Sequence, residues 1–152
     1  MLREATLPDL RAIATWVSSA RECELWAGWR VRFPVEPNAL ALTIDFEHHG
    51  GFALVEADEV IGFGQIVTKA RGRGHFARLI VSPRHRGRGL GERLVRLLLK
   101  QARASGHTLA SLNVDPANAV AIGLYLKMGF TDAPRPADEP DPHGSRFMLL
   151  SL

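Results

Sequence analysis

Val81-Ser82-Pro83-Arg84-His85-Arg86-Gly87-Arg88-Gly89-Leu90-Gly91 is the stretch that decides how this chain is read. An apolar run, Leu79-Ile80-Val81, leads into it, and a long amphipathic segment follows. The order is strand, glycine-rich turn, helix. Such a junction gathers the free N–H groups of a helix N-terminus and the positive end of its dipole, which is a phosphate-binding geometry. Gly87, Gly89 and Gly91 remove side chains where a backbone must approach a ligand or turn sharply. Arg84, Arg86 and Arg88 add positive charge beside them. A plain strand-to-helix connection is the alternative, but it needs neither the alternating glycines nor the alternating arginines. The stretch predicts a pyrophosphate ligand.

Two familiar phosphate loops fail by spelling. A P-loop requires Gly-Lys followed by Ser or Thr, and no glycine here is so followed. A dinucleotide turn, G-x-G-x-x-G, meets Glu92 when counted from Gly87 and Leu94 when counted from Gly89. What remains is Arg86-x-x-Gly89-x-Gly91 directly after a strand ending near Pro83. It resembles the acyl-CoA loop, Q/R-x-x-G-x-G/A, of the GCN5-related N-acetyltransferases. A second stretch, Asn113 to Phe130, is similar to a later motif of that family. There a strand ends in Asn, a helix carries Asn and then Tyr, and the helix stops at Gly-Phe. Here those residues are Asn113, Asn118, Tyr125, Gly129 and Phe130. The two motifs stand in the family's order and cover roughly residues 75–130.

Composition bounds the rest. The chain has 152 residues, 46% hydrophobic and 23% charged, which fits one globular domain, 1–152. Cys23 is the only cysteine, so no intrachain disulfide forms. Arg3, Glu4, Asp9 and Arg11 interrupt any apolar leader, and no apolar run is long enough to span a membrane. A cytoplasmic protein without membrane contact is expected. The net charge of +3 comes largely from arginines at 71–96, around the proposed phosphate loop. No basic run carries interleaved aromatics, so nucleic acid is not expected as a partner. His48-His49 are adjacent and point about 100° apart on a helix, and no H-E-x-x-H occurs, so no metal is expected.

Periodicity places the elements. Residues 2–6 read as a strand. Thr6 caps a helix from Leu7 to Ala20, with Pro8 in its first turn. Residues 21–37 read as irregular. Asn38 caps a second helix to His48, with Leu42 and Phe46 inward and Gly50-Gly51 ending it. Strands follow at 51–56, 60–67 and 75–81, and a helix from Gly87 to Ala104 presents Leu90, Leu94, Leu97 and Leu98 on one face. Leu109–Val114 is a strand, Pro116 starts a helix to Met128, and Phe130–Ala133 is a short strand. Residues 134–145, with Pro134, Pro136, Pro140 and Pro142, read as a mobile loop before a final strand at 146–152. There are no repeats. The order matches the fold that the resemblance implies. That fold is a single α/β (α+β) domain with a mixed, mostly antiparallel central sheet and helices on both faces. In it the strands at 75–82 and 109–114 splay apart to admit the pantetheine arm.

The resemblance also assigns residues. Acetyl-CoA is the implied co-substrate. Its pyrophosphate is expected on the backbone of Arg86, Gly87, Arg88, Gly89, Leu90 and Gly91, with Glu92 at the end of the turn and Arg84 and Arg88 near the phosphates. Leu79, Ile80 and Val81 are expected along the pantetheine, with backbone pairing like that of an added strand. A backbone N–H near Val81 is expected to meet the oxyanion. Asn118 matches the family's CoA-contacting Asn, its alternative being a solvent-facing residue in the first helical turn. Tyr125, the chain's only tyrosine, matches the proton donor to the departing thiolate, although it also lies on an apolar helix face with Ala121, Leu124 and Met128. Asp115 lies just past the splayed strand, as a base or as a helix cap before Pro116. Glu56, His75, Glu22 and Glu24 are further base candidates, and a water relay is an alternative to all of them.

The acceptor is expected to be a small-molecule or peptide amine, bounded by residues 7–48 and the Pro-rich loop. Trp26 and Trp29 either line an amine pocket or pack a lid. Cys23 lies far from both motifs, so direct attack in a ternary complex is expected rather than a covalent enzyme. Two rivals remain: a catalytically silent acyl-CoA-binding module, and an adaptor on the same fold. In the family, edge strands near the C-terminus often form dimers, which leaves a homodimer open.

Overall fold

The structure, a computed structural model, describes residues 1–141 and 143–152. Pro142, read as part of the Pro-rich loop, lies outside the described residues. The chain runs β1 (Leu2–Glu4), α1 (Leu7–Ala14), α2 (Ala20–Ala27), α3 (Pro37–Thr43), α4 (Phe46–His49), β2 (Phe52–Glu56), β3 (Glu59–Lys69), β4 (Arg73–Val81), α5 (Leu90–Ala104), β5 (Leu109–Val114), α6 (Ala119–Lys127), β6 (Thr131–Asp132) and β7 (Arg146–Ser151). The sheet order is β1-β2-β3-β4-β5-β7-β6. Every neighbouring pair is antiparallel except β4 with β5. The parallel pair is joined by α5, the crossover that such a pair requires.

One apolar core lies under α5 and α6 and includes Phe76, Leu94, Leu98, Leu112 and Phe130. The other lies under the N-terminal helices and includes Leu10, Ile13, Leu40, Ile44 and Phe63. Helices therefore cover both faces, as expected. α5 is strongly amphipathic, burying Leu90, Leu94, Val95, Leu98, Leu99 and Ala102. It begins at Leu90 rather than Gly87, because Gly87 and Gly89 hold φ of +79° and +73°, outside the helical region. α6 likewise begins at Ala119, since Asn118 caps it by accepting from the Ala121 N–H at 3.2 Å.

The N-terminal third departs from the sequence reading. α1 stops at Ala14, and residues read as irregular contain α2, capped by Ser19 accepting from the Glu22 N–H. The helix expected over 38–48 is two short ones, broken at Asp45, whose φ is +49°. Leu40 and Ile44, four residues apart, share the buried face, whereas Leu42, expected inward, lies on the opposite face and is 83% exposed; Phe46, also expected inward, is half-buried against the same core. Asp9 is buried and ion-paired with Arg3 at 2.7 Å, and it also accepts from the Thr6 N–H at 2.7 Å, which ties α1 to β1.

A bulge in β4 sets the shape of the centre. Phe63 pairs with Ile80 and Gln65 with Ala77, so Arg78 and Leu79 together oppose Gly64. Arg78 takes a left-handed φ of +53°. The extra residue inverts side-chain parity. Phe76 packs in the core under α5 while Ile80, an even number of residues on, packs in the opposite core. β4 and β5 pair from Arg73↔Leu109 to Phe76↔Leu112 and no further. Beyond that point β5 continues against β7 and β4 against β3, so the two halves of the sheet part.

Candidate active site

The parting opens a wedge of about 390 Å³. One wall is β4 from Phe76 to Val81, and the other is the end of β5 with Asn118, Ala121, Leu124 and Tyr125. Leu94 and Val95 of α5 also line it. Past Phe76 the β4 edge that faces β5 has no β5 partner. Its backbone groups are therefore open to an extended ligand with amides of its own.

The glycine turn sits at the mouth of this wedge, and Gly91 and Arg86 belong to its lining. A Cβ on Gly91 would lie 3.5 Å from Leu124, so this glycine allows α5 to pack closely on α6. A Cβ on Gly87 or Gly89 would meet nothing within 4 Å, which leaves space over the N-terminus of α5. The arginines are already engaged. Arg86 donates to the Val81 carbonyl at 3.2 Å and to Glu22 at 3.0 Å, and Arg88 pairs with Glu56 at 3.2 Å. Such partly exposed pairs are worth only about 0–1 kcal/mol, so a polyphosphate can displace them. Glu92 turns away to Arg96 and Lys127, both at 2.7 Å.

Tyr125 is buried, edge-on to Phe130 with ring centroids 6.0 Å apart, and it lines the wedge. Burial pushes its phenol up to about 12. It stays protonated across the working range, as a proton donor must.

A second cavity of about 850 Å³ opens beside the wedge. Trp26, Phe76, Ala77, Arg78 and Asn113 line both, so the two meet at the β4 bulge. The Trp26 indole N–H is buried without a hydrogen-bond partner among the described residues. Trp29, mostly exposed, sits under Arg30 and near His143 in the wall of the larger cavity. The Pro-rich loop forms the far wall and is fastened rather than free. Glu139 pairs with Arg73, and Arg135 donates to Asn113 Oδ1 at 2.7 Å and to the Ser145 carbonyl at 2.9 Å.

The base candidates separate. Glu56 lines neither cavity and is held by Arg88. Glu22 lines the wedge, held by Arg86 and Ser18. Glu24 is exposed and pairs with Arg21 at 3.4 Å. Asp115 lines the larger cavity, accepts from the Ala117 N–H at 2.8 Å, and stands 3.6 Å from Arg21. It therefore turns the chain before α6 while facing the cavity.

His75 is half-buried in the cavity wall, not a surface residue, and stacks on Phe147 at 6.5 Å. Its Nδ1 is 2.8 Å from Ser111 Oγ and its Nε2 is 3.4 Å from Asn113 Nδ2. Arg135 occupies the Asn113 oxygen, so the amide N–H₂ faces His75. The network thus assigns the proton to Nδ1 and the acceptor to Nε2. Burial, with Lys69, Arg73, Arg78 and Arg135 nearby, lowers the His75 pKa to about 3. The group is neutral at physiological pH.

His75 carries a pH signature. Its folded pKa of about 3 lies below the ordinary value of 6.5, so between these the unfolded chain binds the extra proton. Stability is full above the upper value and falls as pH drops through the window, by at most about 1.4 kcal/mol per pH unit. His75→Gln is expected to flatten that slope. Urea midpoints at pH 7.5 and 5 check this, and equal losses in wild type and variant would contradict it.

Sequence reasoning missed Arg78, Arg73, Ser111 and Arg135. Only Ser111 left a signal: with Asn113 it makes β5 alternate polar with apolar.

Comparison with known proteins places this chain among acetyltransferases in sequence and fold. The mycothiol acetyltransferase of Corynebacterium glutamicum is 31% identical over 133 residues, 87% of this chain but 46% of that protein. This chain thus spans about half the length of that curated relative. A peptidyl-lysine N-acetyltransferase of Salmonella typhimurium is 33% identical over 100 residues, covering 66% of this chain and 61% of that protein. Among solved structures, the spermidine N-acetyltransferase of Vibrio cholerae, in complex with CoA and spermine, superposes with a TM-score of 0.77 at 21% identity. That match covers 99% of this chain and 94% of the other and concerns the fold. The model of the acetyltransferase (GNAT) family matches residues 18–130, and with that coverage the chain belongs to this family.

Proposed function

We propose that this chain moves an acetyl group from acetyl-CoA to a primary amine by direct attack in a ternary complex. The observation that carries the reading is the parting of β4 from β5 after the Phe76–Leu112 pair, with the glycine turn at its mouth and a second cavity at its inner end. A pantetheine arm fits between the strands, its amides on the open edge of β4, and the phosphates fall over the N-terminus of α5. The thioester then reaches the bulge, where the cavities meet.

In the reaction the amine nitrogen attacks the thioester carbonyl. A C–N bond forms, the C–S bond breaks, one proton leaves the nitrogen and one joins the thiolate. The backbone N–H groups of β4 near the bulge polarise the carbonyl. Tyr125 supplies the thiolate's proton. Asp115 and the neutral Nε2 of His75 border the path by which the amine proton leaves through water. Neither is required alone. Cys23 is buried, donates to the Val31 carbonyl at 3.4 Å, and is pushed up in pKa by burial, all of which disfavours a covalent route.

Free-thiol release from acetyl-CoA against amino acids, polyamines, aminoglycosides and N-terminal peptides tests the reading, with CoA binding measured in parallel. Turnover with one class supports it. Tight CoA binding without turnover on any class would replace it with the silent acyl-CoA-binding module.

A further inference from the structure

We propose that Arg78, at the junction of the two cavities, and Arg30, in the wall of the larger one, form an anion subsite, and that the amine acetylated here is a small amino acid whose carboxylate binds there. The inference rests on the transferase reading for the chemistry but not for the subsite itself.

The charges around the larger cavity do not cancel locally. Its carboxylates are mostly engaged: Glu139 with Arg73, Asp141 with Arg135, Asp115 and Glu24 with the one Arg21, and Asp45 with His48. Asp138 stands exposed at the rim. Arg78 and Arg30 line the same cavity and have no carboxylate within ion-pair distance among the described residues. Arg32 and Lys69 line it unpaired as well, against Asp138 as the unpaired carboxylate, so among the described residues the unmatched charge in this wall is mainly cationic.

Arg78 is the centre of the argument. It is half-buried, sits on the β4 bulge and lines both cavities. Its Nη1 donates to Gln65 Oε1 at 3.1 Å. The Gln65 amide cannot turn, because its Nε2 donates to the carbonyls of Ile44 at 3.1 Å and Gly50 at 2.7 Å. This contact fixes the guanidinium and leaves further N–H donors for a ligand. Burial and the charge of Arg30 both weigh against the protonated form of Arg78. A guanidinium remains charged regardless, so the pair gains most from an arriving anion. A planar fork accepts a carboxylate in two parallel hydrogen bonds.

The position limits the acceptor's size. Arg78 lies where the cavities meet, next to the expected thioester. A carboxylate on Arg78 is thus only a few bonds from the attacking nitrogen, as in an α-amino acid. A polyamine would bring a second ammonium to the same two arginines.

The test uses matched pairs. Free-thiol release from acetyl-CoA is measured with alanine, serine and glutamate and with their carboxamides, and with spermidine. The acids are expected to exceed the amides at least about tenfold in kcat/KM, mainly through KM. Arg78→Gln should bring that ratio close to one, Arg78→Lys should retain part of it, and Arg30→Gln, at an exposed position, should lower it a few-fold. A second readout needs no turnover. In CoA-saturated protein, N-acetylalanine and N-acetylglutamate are expected to raise Tm by roughly 2 °C over their methylamides, and Arg78→Gln should erase the difference. Equal Tm shifts for acids and methylamides would overturn the subsite, as would amides or spermidine serving as well as acids. A Tm preference without turnover of any amine would keep the subsite and overturn the transferase reading instead.

Discussion

Gly89→Glu is expected to abolish measurable CoA binding. Gly89 caps α5 with φ +73°, and the space above it is open to a ligand. A glutamate there does two things. It forces an L-residue into the left-handed region, at a cost of about 1–2 kcal/mol. It also places a carboxylate where the α5 N–H groups and the helix dipole would hold phosphates. Repulsion from a polyanion at this range, added to the loss of the N–H contacts, lowers affinity by about two orders of magnitude or more. Gly89→Ala separates the terms, because it carries the backbone strain without the charge. Isothermal titration with CoA should show Ala weakening binding less than about tenfold, with Glu below detection. Thermal unfolding should be lowered similarly in both. Retained CoA binding in Gly89→Glu would mean that the turn is only a connection.

The elements that were legible in the sequence are those whose cause is local. α5 shows in the repeat of Leu90, Leu94 and Leu98, and its start shows in the glycines before it. β5 and the stop at Gly129 are equally local. α2 was not legible, because its eight residues carry Cys23 as the only fully buried side chain and several charges. Leu42 and Phe46 pointed to one continuous helix, but Asp45 in a left-handed conformation splits it; Phe46 still packs on the core, Leu42 is exposed, and Leu40 and Ile44 are the buried pair. The parting of β4 and β5 came from family resemblance. The bulge beside it, two β4 residues opposite Gly64, is a matter of cross-strand pairing and leaves no pattern within β4 itself. The larger cavity is the least legible part. Arg73 meets Glu139, and Asn113 meets Arg135, only because the Pro-rich loop folds back over the parted strands. A reading that treated that loop as mobile could not bring them together.

Tyr125→Phe is expected to fold like the wild type and to lose most of its turnover, with a deficit that grows as pH rises. The ring stays in place, since its packing against Phe130 and the wedge needs no hydroxyl. CoA affinity should change little. In the wild type the phenol, pushed up to about 12 by burial, remains protonated through the whole assay range. It can therefore deliver a proton to the thiolate at any working pH. The variant must take that proton from solvent. Below the ordinary thiol pKa of about 8.5, the departing sulfur finds solvent protons more readily, and the loss is smaller. Above it, solvent supplies them poorly and the sulfur leaves as a thiolate. General acid catalysis is worth about 10²–10⁴ in rate, so kcat should fall by about 10² near pH 9 and by clearly less near pH 6.5. Steady-state kcat from pH 6 to 9.5, with CoA binding as the control, decides the matter. A ratio of wild-type to variant kcat that stays near one across this range would remove Tyr125 from proton transfer and leave it as a packing residue. A ratio that is large but independent of pH would place its hydroxyl in positioning the thioester rather than in protonating the leaving group.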